Sequence, residues 1–239
     1  MADADTLVFV PAWNEEESLP AVLTELRETL PDADVVVIDD GSTDATADVA
    51  QAGGAEVVSF GRNRGLVAAI AAGYGHADDG GYAFCGRVDA DGQHPADELA
   101  RLLALVREDA CDVAVGSRFA SGDGYEAYRY KPTAARRLGH FALRRLVRFR
   151  LGRPMLDATS GMYAVNRKAI PLLAQPYEAG APEVEGLMRL AEAGLRVQEV
   201  PVHMRERTSG ESKLQGKKAA MLVLTVAATV LAARRWRKR

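Results

Sequence analysis

The sequence is poor in the features that mark secreted, redox-active or membrane-spanning proteins. Only two cysteines, Cys85 and Cys111, occur in 239 residues, and no metal-binding or redox spacing joins them. We therefore expect buried thiols in a reducing compartment. No apolar run reaches the roughly 18 to 20 residues needed to cross a bilayer. The acidic N-terminus runs straight into a predicted strand and does not have the pattern of a signal peptide.

Two common phosphate-binding motifs are also missing. No G-x-G-x-x-G follows the first predicted strand, because Gly61, Gly65 and Gly73 have the wrong spacing and context. The sequence contains no P-loop either. These absences argue against the dinucleotide-binding and P-loop classes.

Charge is distributed unevenly along the chain. Residues 129–153 carry a net charge of +9 and residues 205–239 carry +8, which leaves −20 on the remainder against an overall net charge of −3. This asymmetry indicates a face that meets phosphates, a membrane surface or both. We do not expect nucleic acid as a partner, because the basic segments lack interleaved aromatic side chains.

Apolar runs alternate with helical patterns through the first half of the chain. Strands are predicted at 7–10, 35–38, 56–60, from Tyr82 and at 112–116, and helices at 14–30, up to Ala52, at 66–76 and at 97–108. Pro11 is expected to end the first strand, and Ser42 or Thr43 to cap the second helix. Repeated β-α units predict an α/β fold with a mainly parallel central sheet and helices on both faces.

The most informative stretch follows the fourth predicted strand. Asp89 and Asp91 stand one residue apart there, Gly92 frees the backbone and Pro95 opens the next helix. Ligands collect at the carboxyl ends of strands in open α/β sheets, so the two carboxylates could meet a divalent cation and a diphosphate. The alternative is an acidic turn that caps a helix.

The second half differs in character. A helix is predicted at 135–151 with an apolar stripe and a basic remainder, which fits either membrane-surface contact or packing on the core. Residues 219–233 carry no charge, but as a helix they would be about 22 Å long, too short for a bilayer. We therefore divide the chain into a domain at 1–216 and an interfacial or partner-docking helix at 217–239, with packing on the domain itself as the alternative.

Seven motifs in order resemble family 2 glycosyltransferases of the GT-A fold, in particular the dolichyl- or polyprenyl-phosphate mannosyl- and glucosyltransferases. The resemblance covers residues 6–214. The motifs are P-A-W-N-E from Pro11, I-D-D-G-S-T-D from Ile38, G-R-N-R-G from Gly61, D-A-D-G-Q-H-P from Asp89, G-S-R-F from Gly116, D-A-T-S-G from Asp157 and R-T-S-G-E-S-K from Arg207.

The resemblance implies a role for each matched residue. The nucleotide pocket would be lined by Pro11, Trp13, Glu15, Ile38, Asp39 and Asp40. Asp89, Asp91 and Gln93, with Ala90 between the carboxylates, would hold Mg²⁺ or Mn²⁺ against the donor diphosphate. Arg118, Arg207 and Lys213 would bind the diphosphate or an acceptor phosphate through charge-assisted hydrogen bonds.

The implied reaction is an inverting transfer of mannose or glucose from a GDP- or UDP-sugar to a polyprenyl monophosphate. A phosphate acceptor needs no strong general base, whereas a saccharide hydroxyl would. For a hydroxyl, Asp157 is the first candidate base and Glu185 the second; for a phosphate, Asp157 would orient a basic side chain or cap a turn. Asp91, Asp157 and Arg118 are thus the predicted catalytic residues. The alternatives are a transferase acting on a saccharide hydroxyl and a catalytically silent nucleotide-sugar-binding module.

The acceptor loop departs from the family pattern. Relatives that use lipid phosphate usually carry an Arg and, four residues later, a Ser, where this chain has Pro132 and Arg136. Arg129, Lys131 or Arg136 could substitute. The resemblance further implies a cytoplasmic protein at the inner face of the cell membrane, docked on the lipid surface or on a small membrane protein, and it allows a homodimer.

The charge pattern generates a first prediction. The protein should bind anionic lipid vesicles, and binding should weaken as salt rises, because exposed charges are screened. Cosedimentation of the full chain and of a variant lacking 217–239 measures the effect. Equal binding by both would remove that segment from the explanation.

Overall fold

The computed structural model describes residues 4–122, 124–125, 155–178 and 180–205. The predicted helices at 135–151 and 217–239 lie outside these residues, as do Arg207, Lys213 and the acceptor-loop positions Arg129, Lys131, Pro132 and Arg136. The division of the chain at residue 216 therefore stays a prediction.

Strands and helices alternate through most of the described chain, as the sequence pattern predicts. In chain order they are β1 (Thr6–Ala12), α1 (Leu19–Thr29), β2 (Asp34–Asp39), α2 (Thr46–Ala52), β3 (Glu56–Ser59), α3 (Leu66–Asp79), β4 (Phe84–Arg87), α4 (Ala96–Arg107), β5 (Val113–Ser117), β6 (Tyr163–Asn166), α5 (Ile170–Leu173), α6 (Pro182–Glu192) and β7 (Val197–Pro201). None of these helices is long and apolar enough to cross a membrane.

The strands form one sheet in the order β3-β2-β1-β4-β6-β5-β7. All neighbours are parallel except β6, which runs antiparallel to both β4 and β5. Because β2 and β3 extend the sheet on one side of β1 and β4 lies on the other, the strand order reverses between β1 and β4. The predicted α/β fold with a mainly parallel sheet is confirmed.

Each face of the sheet packs against its own set of helices. Side chains alternate across a strand, so Phe9 of β1 joins a buried cluster with α3, α5 and α6, while Val8 and Val10 join another with α1, α2 and α4. Both cysteines are buried free thiols within these layers: Cys85 in the first and Cys111 in the second. The result is a three-layer arrangement with the sheet in the middle.

The prediction that Pro11 ends the first strand is wrong. β1 continues to Ala12, and Pro11 pairs in register with Ile38 of β2. Pairing with β4 stops at Phe9, whose carbonyl faces β4 and accepts the N–H of Val88 at 3.4 Å. Pro11, two residues on, faces the same side, where no strand follows, so its missing N–H costs no ladder hydrogen bond.

The predicted start of the first helix is also wrong. Residues 14–18 are not helical, with a turn at 16–18, and α1 begins at Leu19. The N–H of Asn14 donates to the Ser42 hydroxyl at 3.0 Å, and that of Glu15 to the Thr46 hydroxyl at 2.9 Å. Long-range hydrogen bonds thus replace the expected helical turn.

These contacts also change the cap of the next helix. Neither Ser42 nor Thr43 caps α2, which begins at Thr46. The Asp44 carboxylate accepts the N–H of Thr46 at 3.0 Å instead. The loops after β1 and β2 are consequently tied together at one edge of the sheet.

Two glycines of α3, Gly73 and Gly75, show how closely this helix packs against β1. A Cβ at Gly73 would come within 2.2 Å of the Phe9 ring, while a Cβ at Gly75 would meet no atom within 4 Å. Gly73→Ala should lower the free energy of unfolding by about 1–2 kcal/mol, because overpacking outweighs the gain in helix propensity. Gly75→Ala, the matched control, should raise it by up to about 1 kcal/mol. Denaturant titration measures both, and equal stability of the two variants would contradict the packing.

Candidate active site

The candidate site lies where the carboxyl ends of β1, β2 and β4 reach the same edge of the sheet. Ligands of open α/β sheets bind outside the carboxyl ends of the strands, at the point where the strand order reverses. Pairing between β1 and β4 ends at Phe9 and Arg87, so the chain after β4 leaves the sheet at this point, while β1 continues along β2 to Ala12. The segments that follow the two strands carry Trp13 on one side and Asp89 and Asp91 on the other.

Asp39 and Asp40 at the end of β2 hold the neighbouring loop in place. One Asp40 carboxylate oxygen accepts the backbone N–H of Arg64 at 2.6 Å, and the other accepts that of Gly65 at 2.8 Å. Asp39 accepts the hydroxyl of Ser59 at 2.7 Å. The two carboxylates therefore bring the loop before α3 to the site.

The remaining predicted nucleotide residues have different surroundings. Pro11 and Ile38 are buried partners in the β1–β2 ladder. Trp13 is 37% exposed. The Glu15 carboxylate accepts the Ser18 hydroxyl at 2.8 Å, which turns it towards the start of α1.

The Asp89–Asp91 turn is fixed by its own backbone. The N–H of Asp89 donates to Nδ1 of His94 at 2.9 Å, and the N–H of Gln93 donates to the Asp91 carboxylate at 3.1 Å. Asp91 and the intervening Ala90 are buried, whereas the Asp89 side chain is about one-third exposed. Gln93 also accepts the N–H of Arg205 through its carbonyl at 3.0 Å.

His94 is a structural member of this turn. Burial lowers its pKa, although the Asp89 and Asp91 carboxylates oppose the shift. A neutral imidazole that accepts through Nδ1 carries its proton on Nε2. In this hydrogen-bonding arrangement His94 orients the backbone of Asp89 and is not available as a metal ligand through Nδ1.

The Asp89 and Asp91 carboxylates fit a divalent cation. Mg²⁺ favours oxygen ligands and is usually held by one or two carboxylates together with substrate phosphates and water. Gly161 keeps the space beside Asp89 open, since a Cβ there would lie 2.5 Å from Oδ2. Within the described ranges, no group of three or more His, Cys, Asp and Glu side chains could hold a metal ion by itself. The donor set therefore suits a cation that a diphosphate helps to bind.

Arg118 and Asp157 form a bidentate ion pair beside this turn. Nε of Arg118 donates to Oδ2 at 2.7 Å and Nη2 donates to Oδ1 at 2.8 Å. Glu199 of β7 accepts the N–H of Asp157 at 2.6 Å and that of Leu156 at 2.8 Å. Asp157 is fully buried, whereas 36% of the Arg118 side chain is exposed. Asp157 thus orients a basic side chain, one of the arrangements that the sequence left open.

Gly161 joins the ion pair to the carboxylate turn. A Cβ at this position would approach Oδ2 of Asp89 within 2.5 Å and Cε1 of His94 within 3.0 Å. The segment from Asp157 to Gly161 therefore lies directly against Asp89. Residues from β1, β2, β4 and the segment before β6 converge at one edge.

Glu185, the second candidate base, is engaged elsewhere. It is 1% exposed, accepts the N–H of Glu178 at 3.1 Å and pairs with Arg189 of the same helix. Arg189 in turn donates to the carbonyls of Leu172 and Gln175. This network ties α6 to α5 and serves packing.

Four residues of the site were missed from the sequence: Arg87, His94, Glu183 and Glu199. A buried arginine inside an apolar strand is unusual, so the position of Arg87 in the sequence is itself an indication of a buried ion pair. Its partner Glu183 lies 96 residues further along, and no local pattern indicates that contact.

Comparisons with known proteins agree with this geometry. The family described as "Glycosyl transferase family 2" matches residues 7–171. The undecaprenyl-phosphate mannosyltransferase of Micrococcus luteus is 36% identical, with 95% of each chain covered. The polyprenol monophosphomannose synthase of Mycolicibacterium smegmatis is 32% identical over 93% of this chain and 85% of that protein.

A solved structure supports the fold. Glucosyl-3-phosphoglycerate synthase from Mycobacterium tuberculosis, in complex with Mn²⁺, uridine diphosphate and glucosyl-3-phosphoglycerate, superposes with a TM-score of 0.70 at 22% identity. The match covers 97% of this chain and 80% of that one. With the GT-A fold confirmed and the family matching most of the sequence, the chain belongs to glycosyl transferase family 2 and is a glycosyltransferase.

Proposed function

We propose that this enzyme transfers a hexose, with mannose the first candidate, from a GDP- or UDP-sugar to a polyprenyl monophosphate with inversion at the anomeric carbon. The observation that carries the proposal is the contact between Gly161 and Asp89, which places the Arg118–Asp157 pair next to the carboxylate turn. The names of the Micrococcus and Mycolicibacterium relatives support a polyprenyl-phosphate acceptor and mannose.

The donor would lie across the ends of β1, β2 and β4. The exposed ring of Trp13 would contact the base, and the segments held by Asp39 and Asp40 would surround the nucleoside. Asp89 and Asp91, with Gln93 as a further predicted ligand, would hold Mg²⁺ or Mn²⁺ at the diphosphate. A cation bound there would neutralise the charge that develops on the leaving nucleoside diphosphate.

The type of acceptor is suggested by the hydrogen bonds and ion pairs that already engage the two candidate bases, Asp157 and Glu185. Both carboxylate oxygens of Asp157 already accept hydrogen bonds from Arg118. Glu185 is buried in the α5–α6 network. A phosphate acceptor is already an anion at neutral pH and needs neither group as a base. The geometry therefore favours a phosphate over a saccharide hydroxyl, with Arg118 as a residue that binds it.

Membrane contact follows from the acceptor and the charge pattern. A polyprenyl chain resides in the bilayer, so the enzyme must approach the lipid surface. The basic segments 129–153 and 205–239 carry +9 and +8 and would be attracted to anionic lipid at the inner face of the cell membrane. Association would be peripheral, with or without a small membrane protein as a docking partner.

A donor and acceptor panel tests the proposal. The full chain is incubated with Mg²⁺ or Mn²⁺, polyprenyl phosphate and labelled GDP-mannose, GDP-glucose, UDP-glucose or UDP-galactose, and label in the lipid fraction is measured. We expect one donor to label the lipid, with mannose preferred. Transfer only to an added saccharide would contradict the phosphate acceptor. Absence of both transfer and metal-dependent donor hydrolysis would favour a silent binding module.

Asp91→Asn tests the metal site. It should reduce turnover by more than about a hundredfold while the fold persists, because a neutral amide is a poorer ligand for a hard cation. Asp79→Asn is the matched control: Asp79 is exposed at the far end of α3, away from the site, and its change should leave turnover intact. Normal activity of the Asp91 variant in the steady-state assay would refute the assignment.

Arg118 and Asp157 can be separated by kinetics. Arg118→Lys keeps the positive charge but cannot form the two parallel hydrogen bonds of a guanidinium. The kcat/KM for the lipid phosphate should therefore fall about ten- to hundredfold. Asp157→Asn should raise the acceptor KM, because it releases Arg118 from the ion pair. If Asp157→Asn instead abolished kcat with an unchanged acceptor KM, Asp157 would be a base and the role given to Arg118 would be wrong.

A further inference from the structure

Arg87 is a buried cation directly beneath the carboxylate turn. It is the last residue of β4, is 2% exposed and lies opposite Tyr163 of β6 in the antiparallel register. Its Nη2 donates both to Oδ1 of Asp89 at 3.3 Å and to Oε1 of Glu183 at 3.1 Å. One guanidinium nitrogen therefore bridges a predicted metal ligand and the first turn of α6.

The arrangement is not explained by stability. Taking a guanidinium and a carboxylate out of water costs about as much as their attraction returns, so a buried ion pair contributes little net stability. Arg87 is also incompletely satisfied, since its Nε has no hydrogen-bond partner among the described residues. An arginine guanidinium is always protonated in proteins, and here it contacts the carboxylates of Asp89 and Glu183. A permanent positive charge thus lies within hydrogen-bonding distance of Asp89.

We propose that Arg87 weakens divalent-cation binding at Asp89 and Asp91 in the free protein and so makes tight cation binding depend on the donor diphosphate. The guanidinium donates a hydrogen bond to Oδ1 of Asp89 and repels a nearby cation. The negative charges of a diphosphate would attract the cation and compensate for this loss of affinity. Arg87 acts through Asp89 and is a positioning residue. The inference rests on the metal site of the proposed function.

Glu183 sets the strength of this effect. It shares Nη2 of Arg87 with Asp89, and its side chain is 16% exposed. Its charge offsets that of the guanidinium, so the pair is neutral as a unit. Removing Arg87 alone leaves an extra negative charge near the site, and removing the charge of Glu183 alone leaves an extra positive one. The two single changes should shift cation affinity in opposite directions, which a purely structural role would not do.

Manganese binding tests this without turnover. The free Mn²⁺ signal in electron paramagnetic resonance gives the Kd of the full chain alone and with GDP or UDP. Arg87→Met should tighten binding to the nucleotide-free protein by at least about fivefold, and Glu183→Gln should weaken it by a similar factor. The ratio of the Kd without nucleotide to the Kd with nucleotide should fall in Arg87→Met.

Further variants keep the test decisive. Arg87→Lys should stay within about threefold of the wild type, because the charge remains. The double variant Arg87→Met/Glu183→Gln removes the neutral pair and should bind Mn²⁺ more tightly than Glu183→Gln does. This comparison can be made even if the single variant Arg87→Met does not fold. Arg167→Met, which changes an exposed arginine at the opposite edge of the sheet, is the matched control. Thermal melts establish which variants are folded.

The outcomes separate this inference from the metal site itself. Asp91→Asn should abolish nucleotide-dependent Mn²⁺ binding. If it does, but the Arg87 and Glu183 variants shift affinity in the same direction or not at all, only the role of Arg87 is overturned. If the wild type binds no Mn²⁺ with either nucleotide, or Asp91→Asn binds it normally, the metal site and the role of Arg87 are both overturned.

Discussion

The end of pairing between β1 and β4 is the constraint on which the site depends. The two strands are hydrogen-bonded only as far as Phe9 and Arg87. Beyond that point β4 turns into the Asp89–Asp91 segment, while β1 continues along β2 to Ala12. A proline is tolerated in a central strand only because that side has no further partner. The same divergence brings the Asp89–Asp91 turn beside the end of β1, with Asp91 buried and the Asp89 side chain about one-third exposed.

Concentrating carboxylates at one edge has an electrostatic cost, and the fold offsets it locally. Asp40 receives two backbone N–H groups, Asp91 receives one, and the arginines at positions 87 and 118 face Asp89 and Asp157. These hydrogen bonds and ion pairs fix the orientation of each carboxylate. The edge nevertheless stays rich in negative charge, and an anionic diphosphate would need a cation to bind there. This is the physical reason for proposing a metal between donor and protein.

The sequence predicts the layered fold well because strand and helix periodicities are local properties of the chain. Its errors come from contacts between distant segments. The helix expected from Asn14 gives way to hydrogen bonds with residues 42–46, and Pro11 stays in a strand because of how β4 ends. The Asp89–Asp91 motif is visible in the sequence, but its supports are not. Arg87 meets Glu183 across 96 residues, and Glu199 holds Asp157 across 42, and neither separation leaves a local pattern.

The segment from Asp157 to Gly161 connects the two halves of the proposed reaction. At one end Asp157 holds Arg118, and at the other Gly161 touches Asp89. Four residue steps span at most about 15 Å between the Cα atoms of Asp157 and Gly161, so an anion bound by Arg118 would lie near the proposed donor site. Glu199 anchors the start of the segment through two backbone N–H groups. Gly161 itself places no side chain against Asp89, where a Cβ would lie 2.5 Å from Oδ2. In the proposed reaction an acceptor phosphate bound by Arg118 would attack the donor sugar through one of its own oxygens, because a phosphate anion needs no protein base.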